Sequence, residues 1–201
     1  MIDTIIFDMG MVLVDFRWRQ LFAEMGLSGE RFDRLAKATV LDPVWNEFDR
    51  GVWTEDEMCE AFIRNDPGME KEIRQLMYES FPGILKKFPY TDEWIDSLKK
   101  KGYRLMILSN FSEKALRECA DELDYIEKVD DPVISCKIKM IKPAPEIFKY
   151  LLDNYKVKPE NAVFIDDNED NINAAKAFSI NTILFTGRED ADRELAKLGV
   201  R

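Results

Sequence analysis

The chain is predicted to be an α/β protein, with a Rossmann-like parallel sheet core and an all-helical cap inserted after the first strand. Three observations carry this expectation. A short apolar run, Ile5-Ile6-Phe7, ends in Asp8 and a glycine-containing turn. From about residue 91 helix-like and strand-like segments alternate, the pattern of parallel strands covered by helices on both faces. Between Asp15 and roughly Pro89 no strand pattern appears, and apolar residues recur at helical spacing instead. The core is therefore expected at 1–15 and 86–201, and the cap at 16–85.

The elements follow in order. Residues 5–7 are β-branched or aromatic, as a buried central strand requires. In the insertion, Leu21, Phe22 and Met25, then Phe32 and Leu35, then Phe62, Ile73, Leu76 and Met77 place apolar side chains on helix faces. Thr54-Glu55-Asp56-Glu57 fits a capping box that starts a helix after Gly51-Val52-Trp53, and Pro67-Gly68 and Pro82-Gly83 punctuate other ends. Trp45 and Trp53 belong either to the interior of the cap or to an interface. A helix at 91–101 follows, with Thr91 as N-cap, Gly102 as its stop and Trp94, Ile95 and Leu98 facing inward. Then come a strand at 103–108, a helix at 112–123 capped by Ser112, a strand at 132–134, a helix at 144–155, a strand at 162–166, a helix at 169–178, a strand at 181–185 and a helix at 189–198.

Composition narrows the function. A chain of 201 residues with 46% hydrophobic content can bury a real core. A formal charge of −10 leaves no basic surface for a phosphate backbone, so nucleic acid is not an expected partner. No apolar run has the length needed to span a bilayer, and Asp3, Asp8 and Asp15 interrupt any leader-like pattern, so a soluble, cytoplasmic protein without a membrane partner is expected. The three cysteines, Cys59, Cys119 and Cys136, have neither metal-ligand spacing nor the even number of a disulfide framework, and read as reduced thiols. The absence of histidine removes Ser-His and Cys-His triads and histidine-based zinc sites. Carboxylates, lysine and hydroxyls must carry the chemistry. Oligomeric state is left open.

Ligands of open parallel sheets bind beyond the carboxyl ends of the strands, which is where Asp8 lies. Three later features also follow strand-like runs or turns: Ser109-Asn110 after Leu105-Met106-Ile107-Leu108, Lys142-Pro143, and Asp166-Asp167 after Ala162-Val163-Phe164-Ile165. Through the segments FDMGMVLVDF, LSNFS, IKPAPEIF and FIDDNEDNINAA the chain resembles the haloacid dehalogenase superfamily over nearly its whole length. Members carry an Asp nucleophile, a Ser or Thr, a Lys and an acidic pair in that order.

The resemblance implies roles for these positions. Asp8 is the nucleophile that forms an aspartyl-phosphate. Ser109 and the N–H groups after it bind the phosphoryl oxygens, and Asn110 contacts substrate. Lys142 bridges Asp8 and phosphate, with Pro143 opening the 144–155 helix and Lys137 and Lys139 as nearby alternatives. Asp8, the Gly10 carbonyl, Asp166 and Asp167 surround Mg2+, since clustered carboxylates need a cation and hard oxygens suit magnesium. Asp8 and Asp167 are the direct side-chain ligands, Asp166 is a ligand or holds metal-bound water, and Asp170 is a candidate for the outer shell.

Gly10 departs from the pattern. Most phosphatases of the superfamily have a second aspartate there, whose carbonyl binds metal and whose side chain serves as general acid and base. Glycine keeps the first role and loses the second, a loss that typically costs about a hundredfold to ten-thousandfold in rate. Asp15 is one candidate substitute. A subgroup of sugar-phosphate phosphatases also has Gly at this position. The expected activity is magnesium-dependent hydrolysis of a small phosphorylated metabolite, a sugar phosphate among the candidates, with Arg17, Arg19 and Arg50 of the cap as possible substrate contacts. The alternatives are a non-catalytic phosphate-ligand binding protein, motivated by Gly10, and a metal-free 2-haloacid dehalogenase, which the acidic pair disfavours.

Overall fold

The computed structural model describes residues 1–201. Five parallel strands form the central sheet: β1 (Thr4–Phe7), β4 (Arg104–Ser109), β5 (Asp131–Ile134), β6 (Ala162–Asp166) and β7 (Asn181–Leu184), in the order β5-β4-β1-β6-β7. β1 is flanked on both sides, with Phe7 level with Ile107 and Ile165. That register sets the carboxyl ends of β1, β4 and β6 side by side, so Asp8, Ser109 and Asp166 emerge at one edge of the sheet.

Side-chain alternation gives the sheet two apolar faces. Ile5, Phe7, Leu105, Ile107, Val163 and Ile165 face one cluster of 45 buried residues. Ile6, Met106, Leu108, Val133 and Phe164 face a second cluster of 13, covered by α9 (Pro145–Tyr155) and α10 (Glu169–Lys176). Burying each large apolar side chain contributes about 1.5–3 kcal/mol, so both helical layers are strongly held. Helix α6 (Thr91–Lys100) buries Trp94, Ile95 and Leu98, with Gly102 in a left-handed conformation just past its end. The remaining core helices are α7 (Glu113–Glu118), the single turn α8 (Ser135–Ile138) and α11 (Arg188–Lys197).

Between β1 and β4 lie α1 (Trp18–Glu24), α2 (Gly29–Ala38), α3 (Trp45–Arg50), α4 (Glu55–Asn65) and α5 (Glu70–Gln75), the last continued by a π turn at 76–80 and a 3-10 turn at 81–84. Thr54 closes the expected capping box, accepting from the Glu57 N–H at 3.2 Å while Glu57 accepts from the Thr54 N–H at 2.8 Å. Trp45 packs among Phe16, Phe48, Phe62 and Phe81, at centroid distances of 5.6 to 6.5 Å, whereas Trp53 is exposed.

Several expectations are corrected. The stretch from 15 to 89 is not free of strands: β2 (Val14–Phe16) pairs antiparallel with β3 (Leu85–Lys87) where the chain enters and leaves the helical segment. Two adjacent chain crossings satisfy their backbone groups by pairing, and three residues are too few to show a period of two. Thr91 is not an N-cap. Tyr90 holds that position, and the Thr91 hydroxyl donates to the Leu13 carbonyl at 2.6 Å, tying α6 to the turn after β1. Pro145, not Pro143, is the first residue of α9. The helix expected at 112–123 ends at Glu118 and gives way to 3-10 turns, although Ser112 caps it as expected, accepting from the Ala115 N–H at 3.1 Å. The cysteines are free and buried. No helix is long and apolar enough to cross a membrane.

Candidate active site

The turn after β1 sets the site. Asp8 N–H donates to the Ile165 carbonyl at 2.9 Å, and the Met9 carbonyl accepts from Leu13 at 2.8 Å and Val14 at 3.0 Å, folding Gly10 and Met11 back over the strand end. Met11 takes a left-handed φ of 57°, and its side chain is exposed at the cleft.

Lys142 lies at the centre of the charge arrangement. Its ammonium is 2.8 Å from Asp8 Oδ1 and 2.6 Å from Asp166 Oδ2, and all three residues are buried. Ser109 Oγ donates to Asp8 Oδ1 at 2.6 Å and accepts from the Met9 N–H at 3.3 Å. Burial lowers the pKa of Lys142, but Asp8 and then Asp166 outweigh it and the net shift is upward, so the ammonium is held at neutral pH. Burial pushes Asp8 upward and Asp166 adds to this, against the pull of Lys142. Asp167 is pushed up to about 6, by loss of hydration among the surrounding protein and then by Asp8 and Asp166, although its residue surface stays open to the cleft.

Asp166 and Asp167 divide their roles. Asp166 Oδ1 accepts from the Asn168 N–H at 2.8 Å, both of its oxygens accept from Asn171 Nδ2 at 3.0–3.1 Å, and Oδ2 takes Lys142. Asp8 Oδ2 and the Asp167 carboxylate accept no hydrogen bond from any other side chain. Carboxylate oxygens of Asp8, Asp166 and Asp167 lie within 4.8 Å of one another. Three carboxylates against one ammonium, with free oxygens on two of them, are a donor set for a small hard divalent cation.

These groups line a cavity of about 310 Å3 that also takes in Gly10, Asn110, Asn168 and Asn171. Its outer wall is apolar, from Phe16, Trp45, Phe81, Ile84, Leu85 and Phe111. Lys142 is the one cation that lines it.

The cavity thus gathers the sequence-expected Asp8, Gly10, Ser109, Asn110, Lys142 and Asp167, with Asp166 directly beneath. Asn110 lines the cavity and also has a structural use. Its Nδ2 donates to the Lys142 carbonyl at 2.9 Å and its Oδ1 accepts from the Lys142 N–H at 2.8 Å, so it fixes the lysine backbone. Lys137 and Lys139 lie outside the lining, as do Asp15 and Asp170. Arg17 donates to the Gly83 carbonyl and pairs with Glu24, Arg19 stacks over Trp18, and Arg50 pairs with Glu47, so none of the three lines the cavity. Two lining residues escape sequence reading. Asn171 lies one helical turn after Asn168, a spacing from which its contact with Asp166 follows once the helix start is known. Asp49 sits in a segment with no motif at all.

Comparison with known proteins gives a consistent picture. A family model described as haloacid dehalogenase-like hydrolase matches residues 2–179. Bifunctional epoxide hydrolase 2 of Rattus norvegicus is 35% identical over 106 residues, 51% of this chain but only 19% of that protein, so the chain spans about a fifth of that relative's length. D-ribitol-5-phosphate phosphatase of Bacteroides thetaiotaomicron is 28% identical over 213 aligned positions covering 97% of each chain. (S)-2-haloacid dehalogenase 1 of a Pseudomonas strain is 29% identical over 49% of this chain and 44% of its own. A haloacid dehalogenase family enzyme from Bacteroides thetaiotaomicron, solved in complex with magnesium and inorganic phosphate, superposes with a TM-score of 0.70 at 25% identity over 91% of this chain and 93% of its own.

Proposed function

The chain belongs to the haloacid dehalogenase-like hydrolase family, and we propose that within it this protein is a magnesium-dependent phosphatase acting on a small phosphorylated metabolite. The observation that carries the reading is the grouping of Asp8, Asp166 and Asp167 within 4.8 Å, at the floor of a cavity in which Ser109 and Lys142 hold one oxygen of Asp8. The phosphatase relative and the magnesium and phosphate complex support it.

Asp8, the Gly10 carbonyl and Asp167 would hold magnesium, with Asp166 behind them. The ion would supply positive charge to offset the carboxylates and the phosphoryl oxygens. Ser109 and Lys142 engage Asp8 Oδ1 and so fix the orientation of the attacking carboxylate. Attack at phosphorus forms the Asp8 acyl-phosphate as the bond to the alcohol oxygen breaks, and the alcohol leaves with a proton. Water then attacks phosphorus, the bond to Asp8 breaks, and the carboxylate and inorganic phosphate are regenerated. The Lys142 ammonium keeps its proton throughout and stabilises charge that moves between Asp8 and the phosphoryl oxygens. Asn110 keeps the ammonium in place through the Lys142 backbone.

The cavity wall bears on the substrate. With Lys142 as the one lining cation and aromatic side chains outside it, the cavity suits a monophosphate whose organic part is uncharged. A sugar or polyol monophosphate with a single charged group fits, and a bisphosphate does not. The metal-free dehalogenase reading is disfavoured by the acidic trio, whose mutual repulsion a cation offsets and which a metal-free site leaves to Lys142 alone.

The test is hydrolysis of a panel of phosphorylated metabolites by the purified protein with magnesium, with chelator, and after Asp8→Asn. Magnesium-dependent phosphate release that Asp8→Asn abolishes is expected. Release of halide from 2-haloacids in chelator would replace the phosphatase reading with the dehalogenase one. Magnesium binding with no release from any compound would favour a phosphate-ligand binding protein.

A further inference from the structure

We propose that Asp49, carried into the cleft by α3, is the proton-transfer residue of the site and takes the place of the carboxylate that Gly10 lacks. The inference rests on the phosphatase reading. Both half-reactions of that chemistry need a proton group, one to protonate the departing alcohol and one to take a proton from water. Apart from the nucleophile, the carboxylates that line the cavity are Asp49 and Asp167. Asp167 is committed to the acidic trio. Asp15 lies on the β2–β3 ribbon, level with Lys86, and does not line the cavity.

Asp49 has the circumstances of a working group. It makes no ion pair, and its carboxylate accepts from one backbone group, the Ser112 N–H, and from no side chain. Its neighbour Arg50 is turned to Glu47. The charged groups that act on Asp49 are those of the reaction centre, Asp8 and Lys142. Burial, and then the negative charge of Asp8, push its pKa well above the ordinary carboxylate range, with Lys142 and the Ser112 N–H pulling the other way. A rise in pKa favours the protonated carboxyl, the form that can donate to a leaving group.

Its placement is set by the core. Ser135 Oγ, at the end of β5, donates to the Asp49 carbonyl at 2.5 Å and accepts from the Phe111 N–H at 2.9 Å, joining α3 to the loop that follows Ser109. Lys139 Nζ donates to the Gly51 carbonyl. Gly51 ends α3 with φ of 68° so close to α8 that a Cβ would lie 2.9 Å from Cys136 Cβ. The helix end is therefore clamped, and Asp49 lines the same cavity as Asp8 from a fixed base.

The proton balance is closed. Asp49 gives its proton to the alcohol oxygen as the P–O bond breaks and Asp8 bonds to phosphorus. The resulting Asp49 carboxylate takes a proton from water as the water oxygen attacks phosphorus and the Asp8–phosphorus bond breaks. Asp49 is protonated again, and the turnover is complete.

Leaving-group dependence tests this. In single-turnover assays with magnesium, Asp49→Asn should slow release of an unactivated alcohol from an alkyl phosphate by about a hundredfold to ten-thousandfold. Release of p-nitrophenol from its phosphate, whose leaving group needs no proton, should fall less than about tenfold in the first turnover, by the same proton-transfer argument. Asp49→Glu should recover part of the alkyl rate. Gly10→Asp in the Asp49→Asn background should also recover part of it, because a Cβ at position 10 meets only the Phe111 ring, at 3.9 Å. Asp15→Asn should leave both rates unchanged. Equal losses for both leaving groups would mark Asp49 as a structural residue and overturn the proposal, as would an alkyl rate within about threefold of the parent, well short of an acid–base effect. A parent protein that releases no phosphate from any ester overturns the phosphatase reading and this inference with it.

Discussion

Asp166 and Asp167 are neighbours in the chain and opposites in circumstance. Asp166 is fully buried and both of its oxygens are used, while Asp167 faces the cleft with none taken by another side chain. The strand register produces the difference, because Asp166 still belongs to β6 and Asp167 is the first residue free of it. Asn171 then decides where Asp166 points, since its amide bridges both oxygens. We expect Asn171→Ala to weaken magnesium binding about tenfold to a hundredfold, as loss of an outer-shell partner does, without removing any ligand. The check is the magnesium concentration that produces half of the full thermal stabilisation. An unchanged midpoint would show that Asn171 has no part in orienting the acidic trio.

Helices α4 and α7 meet through charge. Lys114, buried on α7, pairs with Glu55 at 2.9 Å and with Glu118, and Arg117 also reaches Glu55. Burial pushes the Glu55 carboxyl up, but the hydrogen bonds from Lys114 and Arg117 outweigh it and hold it below its ordinary range. A carboxylate with a depressed folded pKa adds stability that is complete above its unfolded value and lost as pH falls through the folded one. Glu55→Gln should therefore cost about 1–2 kcal/mol at neutral pH, the scale of a partly exposed charged hydrogen bond. The deficit should shrink steadily as the solution is acidified. Thermal unfolding of both proteins across that pH range measures it, and a deficit that does not change with pH would assign the loss to packing.

The helical segment and the sheet share one apolar interior. The 45-residue cluster runs without interruption from Leu21, Phe22, Phe62 and Met77 to Phe7, Ile107 and Ile165. Neither part keeps a complete core without the other, so we expect a single cooperative unfolding transition with equal calorimetric and van't Hoff enthalpies. Two resolved transitions would show that the segment at 16–85 folds on its own. The same continuity keeps Asp49 at the cavity that Asp8 lines, because α3 cannot tilt away from the core without opening apolar surface. The second cluster, on the opposite face of the sheet, contributes no residue to the cavity lining and serves to hold β1 and β6 in place.

Periodicity and strand-end position were enough, from the sequence alone, to predict the α/β class and the helical insertion and to single out Asp8, Ser109, Asp166 and Asp167 as candidates. Each depends on local order: a strand must be apolar along its length, and the residue after it must leave the sheet. Lys142 follows no strand and is indicated by the family resemblance through Lys142-Pro143. The family resemblance, carried by those same residues, supplied their roles. Tertiary structure decided what depends on distant partners. The β2–β3 ribbon forms because two chain crossings become adjacent, Thr91 turns from cap to tether because Leu13 lies beside it, and Asn110 supports Lys142 because a loop 32 residues away returns to it. Asp49 shows the limit most clearly. The contact that seats it, from Ser135, joins residues 86 apart in the chain, and no local pattern of polarity records which acid a fold will bring to the cavity of its nucleophile.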